Sequence, residues 1–144
     1  MRVIKIAQVP APGVAADTSA LDAVRTMEEV QGGACAVMDG AELVGIFSER
    51  DLMLRVVGAG LDPQKTTVGQ VMTKDLETVS TETDSSDALS LMVSKHIRHL
   101  PVVDKDGNLA GLLSIRNLLQ YHVEELVDQL NSLEAYIAAD GPGG

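Results

Sequence analysis

The chain contains itself twice. Laying Val14 to Leu52 on Val79 to Leu118, with one extra residue in the second copy near Lys105 to Asn108, aligns twelve identical pairs. They are Val14 with Val79, Thr18 with Thr83, Asp22 with Asp87, Ala23 with Ala88, Met27 with Met92 and Val37 with Val102, then Asp39 with Asp104, Leu43 with Leu109, Gly45 with Gly111, Ser48 with Ser114, Arg50 with Arg116 and Leu52 with Leu118. A repeat constrains a fold more than composition does. Each copy must take the same local structure, and the two must then share a way of burying their apolar faces.

Within each copy the same signals recur in the same order. Thr18-Ser19 and Thr83-Asp84 offer N-cap side chains, with Asp22 and Asp87 near the positive end of the helix dipole. Apolar spacings of three and four, Ala20, Ala23, Val24, Met27 and Leu89, Met92, Val93, His96, then predict a helix with one buried face. Two short apolar runs follow, Ala34 to Met38 and Leu43 to Phe47 around Asp39-Gly40, repeated as Leu100 to Val103 and Leu109 to Leu113 around Asp106-Gly107-Asn108. These read as strands joined by tight turns. Helical spacing returns over Glu49 to Val57 and from Ile115 onward.

The unit is β-α-β-β-α, and at about 50 to 60 residues it buries too little surface to stand alone. The expected fold is α/β in the α+β sense, with two such repeats packed in pseudo-twofold symmetry and a helical extension at the C-terminus. The first repeat is placed at residues 6–57, a linker at 58–67, the second repeat at 68–122, and the C-terminal helix at 115–139. Gly58-Ala59-Gly60-Leu61-Asp62-Pro63 punctuates the linker, and Thr67-Val68-Gly69-Gln70 reads as a capping box opening a short helix.

Composition bounds the function classes. Over 144 residues, 45% hydrophobic and 22% charged, the balance is that of a globular protein. Aromatics are only 2%, so a flat-ring ligand would be held by aliphatic walls and backbone, and aromatic single-strand readers of nucleic acid are unlike this chain. Eleven Lys and Arg against 21 Asp and Glu give a formal charge of -10, which repels nucleic-acid polymers and acidic membranes. The single Cys35 can form no internal disulfide, and no N-terminal run is apolar enough for a signal peptide or a span, so a cytoplasmic location is expected. There is no phosphate-binding Gly-rich loop and no nucleophile elbow, and Cys35 sits in an apolar strand, so the chain is not expected to be an enzyme.

Several residues still carry chemistry. Gly45 and Gly111 allow a close approach to the backbone, by a ligand or by the protein's own packing. Ser48 and Ser114 stand at strand-to-helix junctions, where a hydroxyl caps the helix and the helix amides favour a phosphate. Asp51 lies one turn on. His96 and His99 have a spacing that suits a metal, but no third ligand is near in sequence, and no metal site is expected.

Together these segments resemble a tandem pair of CBS domains, a Bateman module of the small stand-alone bacterial type. The resemblance rests on Gly45-Ile46-Phe47-Ser48-Glu49-Arg50-Asp51 and Gly111-Leu112-Leu113-Ser114-Ile115-Arg116-Asn117, with Val71-Met72-Thr73 and Arg98-His99-Leu100-Pro101-Val102-Val103-Asp104. It covers about residues 6 to 122. What it implies is a regulatory sensor that binds AMP, ADP or ATP in clefts between the repeats, requires no cofactor, assembles as a flat homodimer and signals to a protein target. It also implies ligand contacts at Gly45, Ser48, Arg50, Asp51, Thr78, Arg98, His99, Pro101, Gly111, Ser114, Arg116 and Asn117, with Asp51 taking the ribose hydroxyls and Arg98 and His99 the phosphate. Asn117 departs from the family's Asp, and Gly33-Ala34 supplies no charge where the second copy has Arg98-His99. The two clefts are therefore not equivalent. A scaffold with vacant clefts, working through its C-terminal helix, is the competing reading.

In that helix Leu119, Val123, Leu126, Leu130, Leu133 and Ile137 fall at intervals of four and three, a heptad seam widened by Val127. Glu124, Glu125, Asp128, Glu134 and Asp140 lie off the seam. The seam is expected to cover either the core of its own chain or a dimer mate. Asp140-Gly141-Pro142-Gly143-Gly144 should end the helix in a flexible tail.

Overall fold

Each copy closes on its own three-stranded sheet. The computed structural model describes residues 1–139, so the tail expected at 140–144 lies outside the described residues. In the first copy β1 (Gly13–Ala15) pairs in parallel with β2 (Ala34–Asp39), and β2 pairs antiparallel with β3 (Glu42–Ser48), with α1 (Ala20–Glu29) as the crossover. The helix after β3 begins as α2 (Glu49–Asp51) and continues through Leu52–Val57 with wider winding, where Gly58 N–H donates five residues back to the Met53 carbonyl at 2.8 Å. After the short α3 (Val68–Val71), the second copy repeats the order as β4 (Val79–Ser80), α4 (Ser85–Lys95), β5 (His99–Val103), β6 (Leu109–Ser114) and α5 (Ile115–Ala139).

Local chemistry fixes the helix ends. Ser19 accepts from Asp22 N–H at 3.1 Å and Asp84 from Ser86 N–H at 3.1 Å, so both crossover helices carry side-chain caps at the expected positions. The buried face of α4 is narrower than the spacing predicts. Ala88 and Met92 are buried, but Val93 is 61% exposed and the helix stops before His96, whose φ of 55° ends it in the left-handed region. Gln31 takes the same conformation after α1, with φ 53°. Each aims the chain from helix into the next strand.

Two apolar cores result. The first gathers Met27, Cys35, Val37 and Phe47 with Val68, Val71 and Met72; the second gathers Met92, Leu100, Val102, Leu113 and Leu118 with Val3. A small third cluster, Ala34, Ile46 and Leu112, joins the sheets. Burial pushes the Cys35 thiol up to about 11. The native protein is therefore expected to resist an aqueous disulfide reagent near neutral pH and to react fully in urea; fast labelling of folded protein would show that the first core opens readily.

The membership of these cores reveals an exchange. Val68 N–H donates to Thr18 O at 2.9 Å, and Thr73 and Ile46 exchange backbone bonds of 2.8 and 3.0 Å, so the segment beyond the linker packs on the first repeat. Val3 N–H donates to Thr83 O at 2.9 Å, and Gln8 and Leu112 exchange bonds of 2.9 and 3.0 Å, so the N-terminal segment packs on the second. The two sets are the same contacts under the repeat's own offset, which is the pseudo-twofold relation in hydrogen bonds. It also accounts for the glycines. A Cβ on Gly45 would collide with the Met72 side chain and lie 3.0 Å from the Thr73 carbonyl, and one on Gly111 would lie 3.1 Å from the Gln8 carbonyl. The close approach expected at Gly45 and Gly111 is made by the exchanged segments.

Candidate functional site

A cleft of about 840 Å³ opens between the β3-to-α2 junction of the first repeat and the α4-to-β5 junction of the second. Its floor is Asp51, a carboxylate only 5% exposed. Three neighbours hold it there. Ser48 N–H donates to Asp51 Oδ2 at 3.0 Å while Asp51 N–H donates to Ser48 Oγ at 3.3 Å, a reciprocal capping box. Thr73 Oγ1 donates to Oδ1 at 3.1 Å, and Arg55 Nε lies 3.6 Å from the same oxygen. Arg55 also donates to the carbonyls of Val71 and Met72 at 3.4 and 3.0 Å. One side chain thus ties the carboxylate to the exchanged segment.

Arg98 and His99 line the same cleft from the second repeat, with Arg50 from the first. Gly33 leaves the space between them open, because a Cβ there would run into the Glu49 carboxylate and sit 3.4 Å from His99 Cε1. Burial, with the Arg98 charge in support, lowers the His99 pKa below its ordinary value, and Glu49 opposes the shift. His99 therefore favours the neutral form in the folded chain. Its contribution to stability is complete above the ordinary histidine pKa near 6.5 and is lost as pH falls below it toward the lower folded value. Stability is expected to fall as pH drops below about 6.5, by at most about 1.4 kcal/mol per pH unit for one proton. His99→Gln should flatten that slope in urea melts; an unchanged slope would assign it to other groups.

The other sequence-derived positions are placed as follows. Ser114 Oγ accepts from Asn117 N–H at 3.1 Å, matching the backbone half of the Ser48–Asp51 box at the pseudo-symmetric junction. Among the described residues the Asn117 side chain makes no counterpart of the carboxylate half. Arg116 is exposed at that junction. Thr78 lines a different, more open hollow with Lys74 and Asp75, and Pro101 is buried in β5 opposite Leu112. Ser48, Arg50, Asp51, Arg98 and His99 are the members brought together. The reading from sequence missed Arg55 and Thr73 as site residues, although a base four residues after Asp51 on a helix is a legible pairing. No group of three or more His, Cys, Asp or Glu comes together as a metal site among the described residues. No helix among them is long and apolar enough to cross a membrane.

Comparison with known proteins agrees with this architecture. The profile described as "CBS domain" matches residues 4–58 and 68–124. The chain is 36% identical over 126 residues to the mitochondrial CBS domain-containing protein CBSX3 of Arabidopsis thaliana, covering 84% of this chain and 61% of that one. It thus spans about three fifths of that relative's length. A putative signal-transduction protein with CBS domains from Burkholderia ambifaria superposes with a TM-score of 0.78 at 29% identity, over 86% of this chain and 95% of that one. A CBS domain protein of Pyrobaculum aerophilum, solved in complex with AMP, gives 0.73 at 25% identity, over 81% and 89%. With both repeats matched, both sheets in the same order and the exchanged segments in place, the chain belongs to the CBS-domain family, as a tandem pair of CBS domains.

Proposed function

We propose that this tandem pair, a regulatory module by family, binds an adenine nucleotide of the AMP class in the Asp51 cleft and signals as a homodimer. The observation that carries the reading is a buried carboxylate on the floor of a cleft that Arg98 and His99 also line. A carboxylate accepts both hydroxyls of a ribose, and a guanidinium with an imidazole serves a phosphate. The AMP complex of the Pyrobaculum aerophilum protein supports the ligand class. The signal follows from who already occupies Asp51. A ribose competes for Asp51 with the Ser48 hydroxyl, the Thr73 hydroxyl and the Arg55 guanidinium, and the last two anchor the exchanged segment, so ligand entry at their expense loosens the clasp between repeats.

Charge limits the ligand further. Arg50, Arg55 and Arg98 face Glu49, Asp51, Asp75 and Glu77, three cations against four carboxylates, so each added phosphate meets more repulsion than attraction. AMP is expected to raise the melting temperature more than ATP at equal concentration, and more at pH 6 than at pH 8, because a bound phosphate favours protonated His99. No rise with millimolar AMP, ADP or ATP overturns the sensor. The scaffold reading would then hold, favoured by the fact that Asp51 is already hydrogen-bonded by its own chain.

A further inference from the structure

We infer that α5 pairs, parallel and in register, with α5 of a second copy of this chain through Leu119, Val123, Leu126, Leu130, Leu133 and Ile137. The inference rests on the homodimer reading above and adds its interface. Leu118 is the last buried residue of the helix, Tyr121 and His122 are half-buried, and the roughly 25 Å that follow, at 1.5 Å per residue, are exposed throughout the described residues. The six seam residues are between 48% and 60% exposed. This removes the alternative that the seam covers its own core.

The identity of the occupant comes from the pattern. Counting the spacing as heptads puts Val123, Leu130 and Ile137 at one seam position and Leu119, Leu126 and Leu133 at the other. Two of the three residues at the first position, Val123 and Ile137, are β-branched, and the second is Leu throughout, a pattern that favours two parallel strands. The positions flanking the seam are Gln120, His122, Val127, Gln129, Glu134 and Tyr136, nearly free of charge. A strongly charged partner helix would find little to pair with there, whereas a second copy in parallel register brings no like-charge pair to these positions. In parallel register the one flanking acid, Glu134, faces Gln129 of the second copy, an amide that can donate to it. Glu124, Glu125 and Asp128 point outward and no Lys or Arg follows Arg116, which disfavours an anionic membrane as the occupant.

The test uses the full chain. Sedimentation should give a dimer at micromolar concentration, and Leu126→Glu with Leu130→Glu should halve the mass while leaving the AMP-induced rise in melting temperature in place. Both positions are exposed, so the fold tolerates the change. Because Cys35 is buried, an added thiol reports orientation. Ile137→Cys should oxidise to a disulfide-linked dimer, since only a parallel pair brings position 137 against itself. A wild-type monomer, a dimer that survives both Glu substitutions, or a dimer that fails to cross-link at 137 overturns the inference. Loss of nucleotide binding with the dimer intact would instead overturn the sensor reading alone.

Discussion

Asp51→Asn is expected to weaken adenine-nucleotide binding by about tenfold, the difference between a charge-assisted and a neutral hydrogen bond. The amide keeps the shape and one acceptor, so most of the local structure should survive. Asp51→Ala should do more. It leaves Ser48 N–H, Thr73 Oγ1 and Arg55 without their common acceptor in a nearly closed site, and it removes one half of the capping box that starts α2. A buried bond stripped of one partner costs about 1–3 kcal/mol. For a chain of this size that lowers the melting temperature by roughly 2–12 °C. Calorimetry on the free protein and titration with AMP separate the two effects. Asn117→Ala is the matched control at the pseudo-symmetric junction and should leave AMP affinity unchanged. If Asn117→Ala abolishes binding while Asp51→Asn does not, the ligand sits in the other cleft.

The duplication made the β-α-β-β-α order, both tight turns and both caps legible from sequence, because each signal had to hold twice. Gly40 and Gly107 illustrate this, with φ of 60° and 82° at the two expected turns. What stayed hidden was long-range. Nothing in a single repeat says that Val3 belongs in the core of the second and Val68 in the core of the first. The signal existed, since the offset that aligns Val14 with Val79 also aligns Val3 with Val68, but an identity of one valine in a segment without periodicity carries little weight. The same blindness hid Thr73, which enters the cleft only because the exchanged segment carries it there. Val93 was misread for a different reason. Its spacing fits the buried stripe of α4, yet the stripe faces one sheet only, and His96 ends the helix before another turn forms. Ser48, Asp51, Arg98 and His99, which line one cleft, were legible as candidates because motif and junction coincide at each.

The exchange of segments puts a piece of each repeat into the core of the other, and this gives the largest stability effect the fold implies. Val3 is fully buried in the second core, and Val68 in the first. Val3→Asp would place a carboxylate inside an apolar cluster, a change that costs about 3–5 kcal/mol when a buried charge is left uncompensated. That is a large part of the stability of an ordinary domain, about 5–15 kcal/mol. Val68→Asp should cost a similar amount, because the two positions are related by the repeat. Location discriminates this account from a simple loss of apolar contact within each copy's own sequence. In Val3→Asp, amide hydrogen exchange should speed first at Leu100, Val102 and Leu113 of the second sheet, while Cys35, Val37 and Phe47 stay protected; in Val68→Asp the order should reverse. A loss below about 1 kcal/mol, well under the cost expected for a buried unpaired charge, or opening of the first sheet in Val3→Asp, would mean that the segments do not cross. With the crossing in place, a ligand that displaces Arg55 or Thr73 from Asp51 pulls on a strap whose counterpart braces the other repeat, so a local event at one carboxylate reaches both sheets.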